Sequence, residues 1–192
     1  WSFTSISRGS LTSWNKGKAW AATFGHSVAE FIGAGFPVIP RQVMAPGHEG
    51  TYRLAAFLGQ PIIPHGHHQD CANGFDLLTN VANSINSLGQ VAWMDMASLS
   101  RSNFLTRRSG DTLVVKMLAR HITLPLAEGV KEIVVERPWI GADASEPLRC
   151  TAGEQTIFSG KHGAASPAIS ISGKRTVSLL PPAPSGLGYQ DV

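Results

Sequence analysis

The chain has 192 residues, of which 43% are hydrophobic and 15% are charged. This length can bury a sizeable core, either as one large domain or as two small ones. The 20 Gly and 12 Pro favour strands joined by turns over a helical bundle. The net charge of +3 comes from scattered basic residues. This argues against a nucleic-acid partner, because such proteins carry a basic stripe or a recognisable reader motif.

The sequence gives only general indications about the cellular setting. No apolar run is long enough to span a membrane, so we expect no membrane span. The chain begins at Trp1, and we expect that a signal peptide or an upstream region can precede it. Cys71 and Cys150 allow at most one disulfide, and their spacing leaves the pairing open. The compartment stays open, with an extracellular or cell-envelope location favoured, and so does the oligomeric state.

The first half of the chain alternates between helix and strand patterns. An apolar stripe predicts a helix over Ala19–Ile32, and a short buried strand follows at Pro37–Ile39. After a Gly-containing loop, Tyr52–Leu58 can form a short helix, and Pro61–Pro64 is a compact apolar strand.

The clearest predicted helix is Asn73–Leu88, because its apolar residues recur at spacings of three and four. The apolar run Val91–Met94 predicts the next strand, and Trp93 with its neighbouring methionines is expected to fill core. Strand, helix and strand form a βαβ unit, which is expected to place Ile62–Ile63 parallel to Val91–Met94. Sites in such units lie at the carboxyl ends of the strands, the position that His65 occupies.

From Asp111 onward the pattern changes to short strands separated by Gly, Pro and Ser, typical of an antiparallel sandwich. The sequence therefore predicts a partial (β/α)-barrel-like α/β segment at 1–108, a β-sandwich-like domain at 109–180 and a Pro/Gly-rich tail at 181–192. The predicted strands are Thr112–Leu118, Arg120–Leu124, Glu132–Val135, Gln155–Phe158, Ala168–Ser172 and Arg175–Leu180.

A cluster of three imidazoles and a carboxylate follows the predicted strand Pro61–Pro64. These are ligand types that zinc and related divalent ions prefer. Alternate residues of an extended chain point the same way, so His65 and His67 could bind one ion while His68 faces elsewhere. Asp70 could complete the site, orient an imidazole or cap the following helix. Equally, the histidines can be polar loop residues with no site role.

A second candidate is the loop that contains His48 and Glu49. Either side chain could serve as a catalytic base or acid, and the loop is expected to open on the same edge of the sheet as His65. The alternative interpretation is that Glu49 is a carboxylate in the first turn of the next helix, where it complements the helix dipole.

The segment from Gln60 to Ser100 resembles the closing part of the polysaccharide deacetylase (NodB-like) barrel. In that family a late strand ends in a hydrophobic residue, any residue and His, which Ile63-Pro64-His65 matches. The resemblance implies that His65 is the site histidine and acts as general acid. The early aspartate pair and the metal-binding His-x-x-x-His of that family have no counterpart in this sequence.

The run His65-Gly-His67-His68 is also similar to the His-x-His-x-Asp-His motif of metallo-β-lactamase-like hydrolases. Here the chain departs from the pattern, because Gln69 stands where the Asp belongs and Asp70 where the last His belongs.

These observations lead to one main expectation and two alternatives. We expect a metal-dependent carbohydrate deacetylase-like hydrolase with zinc as the divalent ion, or a fragment of one. In this interpretation His65, Glu49 and His48 are catalytic, and His65, His67 and Asp70 are metal ligands. One alternative is a non-catalytic glycan- or protein-binding β-sandwich joined to a degenerate α/β segment. The other is a metallo-β-lactamase-like hydrolase.

Overall fold

The computed structural model describes residues 4–7, 30–32 and 36–181. The described residues up to Ser100 belong to one compact unit, and those from Arg101 onward belong to a second. Most of the helix predicted over Ala19–Ile32 lies outside the described residues, and its last three residues form a strand instead. The predicted tail lies outside them from residue 182 onward.

The first unit is built on a small sheet around one central strand. Strands β1 (Thr4–Ser7) and β4 (Pro64–His65) run parallel to β3 (Phe36–Val43). Strand β2 (Glu30–Ile32) is antiparallel to β3. The sequence predicts a strand only at Pro37–Ile39. The observed strand is longer, because pairing with several neighbouring strands extends it past Pro40 to Val43.

Helix α1 (Glu49–Phe57) connects β3 to β4 and makes a βαβ unit. Its apolar face buries Tyr52 and Ala55. The phenol of Tyr52 donates a hydrogen bond to the Val43 carbonyl oxygen at 3.1 Å, which fixes the helix against the end of β3. Burial and the nearby Glu49 carboxylate raise the pKa of Tyr52, so the phenol keeps its proton.

Helix α2 (Asp76–Asn86) occupies the middle of the predicted helix Asn73–Leu88. Its residues Val81 and Ile85 pack with Tyr52 and Met44 in the core of the first unit. Phe75, which the pattern places on the apolar face, is 70% exposed because it lies just before the first helical turn.

The prediction of a strand at Val91–Met94 is wrong, and so is the prediction that this strand pairs with Ile62–Ile63. The segment has no regular structure and is exposed, with Trp93 at 61%. The indole of Trp93 donates to the Asn86 side-chain oxygen at 2.9 Å, which ties the segment back to α2. Helix α3 (Met96–Arg101) then begins at once, capped by the Asp95 carboxylate, which accepts from the Ser98 amide at 2.8 Å. The expectation that Trp93 and its neighbouring methionines fill core is wrong for the same reason.

The second unit is a sandwich of two four-stranded sheets. One sheet has the order β10-β9-β12-β7 and the other β11-β8-β6-β5. The strands are β5 (Phe104–Ser109), β6 (Thr112–Met117), β7 (Ile122–Pro125), β8 (Glu132–Glu136), β9 (Glu146–Ala152), β10 (Gln155–His162), β11 (Ile169–Ser170) and β12 (Thr176–Leu180). Alternate residues of these strands fill one apolar core that includes Val115, Ile133 and Leu179.

Three features of this unit differ from the prediction. The chain crosses to the facing sheet as β7 between β6 and β8, so β6 and β8 pair in parallel and the sandwich is mixed rather than purely antiparallel. Strand β5, which the prediction placed in the α/β segment, pairs with β6 through a turn at Gly110. Strand β9 has no counterpart in the prediction.

The fold is therefore mixed, with α/β elements in the first unit and β-structure in the second. The described strands form open sheets with no closed barrel among them. None of the described helices is long and apolar enough to cross a membrane.

Candidate functional site

Two loops leave the same edge of the first sheet. Val43, at the end of β3, is the register partner of His65, at the end of β4, and the Met44 amide donates to the His65 carbonyl oxygen at 2.8 Å. The loop that leads to His48 follows β3, and the loop that begins at Gly66 follows β4. The prediction that these loops open together is confirmed, because the two strands are parallel neighbours.

The imidazole of His65 is held by the neighbouring strand. Its Nδ1 lies 2.8 Å from the Gln42 carbonyl oxygen. A carbonyl oxygen only accepts hydrogen bonds, so Nδ1 must carry the hydrogen. In the neutral ring, Nε2 then holds the free lone pair. Such a nitrogen can bind a metal ion or take up a proton.

The surroundings of His65 favour this neutral ring. Burial lowers the pKa of His65 most, and the positive charge of Arg41 lowers it further. The hydrogen bond to Gln42 acts in the opposite direction, and His67 lowers the pKa as well. The pKa therefore falls below its ordinary value of 6.5, so the imidazole is mostly uncharged at neutral pH.

Gln42 is the residue that holds this corner of the sheet together. Its main-chain amide donates to the Ile63 carbonyl oxygen at 3.0 Å, and its side-chain oxygen accepts from the main-chain amide of Ile63 at 2.8 Å. Sequence reasoning missed Gln42, because the predicted strand stopped at Ile39 before Pro40. A polar side chain two residues beyond that proline was the available signal.

The segment after His65 forms a tight turn closed by Asp70. A 3-10 turn spans His68–Cys71, and the Asp70 carboxylate accepts from the His67 amide at 2.6 Å. The Asp70 amide donates back to the His67 carbonyl oxygen at 3.0 Å. The Asp70 carboxylate therefore caps this turn, whereas the helix that follows has Phe75 at its N-cap and no side-chain cap there.

The structure does not gather the predicted metal ligands into a ready-made site. Within residues 36–181 and the two short strands before them, no three His, Cys, Asp or Glu side chains lie close enough to hold one metal ion. His67 is near enough to His65 to influence its charge, but one Asp70 oxygen already binds the His67 amide. The assignment of His65, His67 and Asp70 as metal ligands stays a prediction.

The second pair of candidates lies at the start of α1. His48 precedes the helix and Glu49 opens it, and both side chains are exposed. The His48 carbonyl oxygen accepts from the Thr51 hydroxyl at 2.7 Å, which orders the first turn. No hydrogen bond among the described residues joins either side chain to His65. Glu49 occupies the position where a carboxylate complements the helix dipole, and a catalytic role for the pair stays a prediction.

Comparison of the chain with protein-family models, with curated proteins and with solved structures finds no match.

Proposed function

We propose that the first unit carries the proton-transfer residue of a carbohydrate deacetylase-like hydrolase, and that this residue is His65. One observation carries the proposal. His65 lies at the carboxyl end of β4 with Nδ1 bonded to the Gln42 carbonyl oxygen, which directs the chemistry to Nε2. Sites of α/β sheets form at this edge, and a second loop leaves it beside His65.

The geometry supports two successive roles for His65, first as a general base and then as a general acid. Neutral Nε2 takes a proton from the attacking water, and the imidazolium then donates that proton to the leaving amine or alcohol of the sugar. The Gln42 carbonyl oxygen accepts from Nδ1 throughout and stabilises the charged ring. The general acid role that the family resemblance implies becomes the second half of this cycle.

The metal part of the proposal rests on ligand type, since the described donors form no three-ligand group. A divalent ion such as zinc would polarise the acetyl carbonyl. His65 Nε2 and His67 are the donors that this chain would offer. One nitrogen cannot bind the ion and transfer a proton at the same time, so the proton transfer described above needs a His65 without metal.

The direct test measures acetate release from acetylated chito-oligosaccharides and acetylated xylo-oligosaccharides. His65→Ala should lower the rate by about 100-fold or more, as the loss of a general base does. His68→Ala is the matched control, because His68 is exposed in the neighbouring turn, and should leave the rate unchanged. The rate should rise with pH through the lowered pKa of His65 and level off near neutrality. Absence of acetate release from both substrate classes, with and without added zinc, contradicts the proposal.

A zinc titration tests the metal separately. Zinc binding in calorimetry that His65→Ala or His67→Ala abolishes would assign the ion to these side chains, and the bound ion would then take Nε2 away from proton transfer. If activity survives dialysis against a chelator, the hydrolase operates without the ion. If zinc binds but no substrate is cleaved, the site is a metal site without this activity.

The non-catalytic alternative is tested by binding measurements on the same variants. Glycan binding that a chelator and His65→Ala leave unchanged, with no hydrolysis, would identify a binding module.

A further inference from the structure

An apolar groove runs through the first unit along the outer side of β4. Its volume is about 560 Å³. One wall is the extended run Pro61–Pro64, and the other is the irregular segment Gln90–Met94. This is the place where the sequence predicts a neighbouring strand, and the structure leaves that place open.

The groove has no charged lining. None of the described residues that line it carries a charge, although 15% of the chain is charged. Trp93 is 61% exposed and Met94 52%, so a large apolar surface faces water here. Exposed apolar surface of this kind marks interaction sites on soluble proteins.

One wall also presents main-chain hydrogen-bonding groups. The carbonyl oxygen of Ile63 accepts from the main-chain amide of Gln42 in β3, and that of His65 accepts from Met44 just after β3. Alternate residues of a strand direct these groups to opposite sides, so Ile62 and Pro64 direct theirs away from β3. Among the described strands, β4 pairs with β3 alone. Ile62 therefore offers a donor and an acceptor to the groove, and Pro64 offers an acceptor.

We propose that this groove binds an extended, uncharged, aliphatic peptide segment of a partner protein, which adds as a strand beside β4. Such a segment matches both the main-chain groups and the apolar wall of the groove. Its main chain pairs with Ile62 and Pro64, and its side chains pack against Trp93 and Met94. A lipid chain would cover the apolar walls but leave the main-chain groups without partners. Because the groove has no charged lining, it offers no ion-pair partner to an acidic or basic segment. The proposal is independent of the hydrolase function.

The test uses a fluorescent, end-capped peptide of alternating threonine and valine, measured by anisotropy. The same peptide with alternate amide nitrogens methylated loses its strand donors but keeps its side chains. Binding to the full chain should weaken at least tenfold with the methylated peptide. The amide hydrogen of Ile62 should exchange with solvent more slowly in the complex.

Protein variants locate the binding on the groove. Met94→Glu and Val91→Glu place a charge on one wall at exposed positions, so both variants should fold, and both should weaken binding at least tenfold. Phe57→Glu is the matched control, since Phe57 is 87% exposed in the same unit and does not line the groove. It should bind like the original chain.

Three outcomes overturn the proposal. The first is equal binding of the plain and methylated peptides. The second is preferential binding of myristate, which would make the groove a lipid site. The third is a dimer that Met94→Glu dissociates, which would make a second copy of this chain the occupant.

Discussion

The carboxylate of Asp70 lies directly over the backbone of Gly66. A Cβ atom at Gly66 would come within 2.7 Å of the Asp70 Oδ2 and 2.6 Å of the Met44 Cε. This close approach lets the carboxylate reach the His67 amide and close the turn after His65. The absence of a side chain at Gly66 therefore sets the path of the chain beside the candidate site.

Gly66→Ala should consequently destabilise the first unit. The Met44 methyl group can move aside at small cost, but the Asp70 carboxylate can move only by releasing the His67 amide. We expect a loss of about 1–2 kcal/mol, within the range for overpacked positions, measured by urea unfolding. The matched control is Gly50→Ala, because nothing lies within 4 Å of a Cβ there and the position is helical. It should be neutral or stabilise the protein by up to about 1 kcal/mol.

A double-mutant cycle separates the two contacts. If the Asp70 contact causes the loss, then Gly66→Ala should cost less in an Asp70→Ala background than in the original chain. Equal costs in both backgrounds would assign the loss to Met44 and contradict the role given to the turn.

The site illustrates which features sequence patterns can predict. The helix before β4 follows from local spacing and a Gly boundary, and the structure contains it. Of the strand predicted at Pro61–Pro64, only Pro64 lies in β4, and the three residues before it are extended without strand pairing. The contact of His65 with Gln42 depends on the register between two strands, which no local pattern encodes. The cap that Asp70 forms on the His68–Cys71 turn is not among the three roles expected from the sequence, because no local pattern predicts that turn.

The error at Val91–Met94 has a similar origin. A short apolar run is compatible with a buried strand, a helix segment or an exposed groove wall, and its period does not distinguish them. Two contacts hold Val91–Met94 as an exposed groove wall. Asp95 caps α3 immediately after the run, and the Trp93 indole donates a hydrogen bond to Asn86. Likewise, β9 was missed because its alternation is short: only Leu148 and Cys150 are fully buried, one on each side of Arg149.

The thiol of Cys150 should be inert in the folded protein. Both cysteines are free, but Cys150 is fully buried in the sandwich core, and burial raises its pKa to about 11. The thiolate is the reactive form, so labelling with a disulfide reagent at pH 8 should modify half-buried Cys71 first. Cys150 should react only when urea unfolds the second unit. Equally rapid labelling of Cys150 and Cys71 without denaturant would contradict this assignment of the core.

Stability should decline in mild acid because of His121. Burial lowers its pKa in the folded state to about 4, with a further contribution from Arg101, against 6.5 for the ordinary value. Between these two values the unfolded chain binds more protons than the folded one, so the free energy of unfolding falls as the pH decreases from 6.5 towards 4. Above pH 6.5 the contribution is fully present. We expect a loss on the order of 2 kcal/mol, because solvent screens part of the full shift at a half-buried ring.

Urea unfolding at several pH values checks this slope. His121→Gln should flatten it, leaving the smaller contributions of His65 and His162, whose pKa values burial also lowers. His68→Ala, in an exposed turn, should leave the slope as it is in the original chain. A slope that His121→Gln does not change would assign the acid sensitivity elsewhere.

Arg137 should be the most sensitive charged residue in the sandwich. It lies just after β8 in one sheet, is only 3% exposed, and donates to three carbonyl oxygens where β9 and β10 meet in the other sheet. The distances are 2.8 Å to Glu146, 3.2 Å to Pro147 and 2.9 Å to His162. Because Glu146 and His162 are register partners, one guanidinium closes the end of that strand pair and joins the two sheets.

Removing this side chain should leave three partly buried carbonyl oxygens without this donor. Arg137→Ala should destabilise the second unit by about 3 kcal/mol, the range for loss of a buried, hydrogen-bonded charge. Arg137→Lys keeps the charge but cannot reach all three oxygens with a planar fork, so it should recover only part of the loss. Arg107→Ala on exposed strand β5 is the control and should change stability by less than about 0.5 kcal/mol. Full recovery by Arg137→Lys would mean that charge, rather than the fork geometry, joins the two sheets.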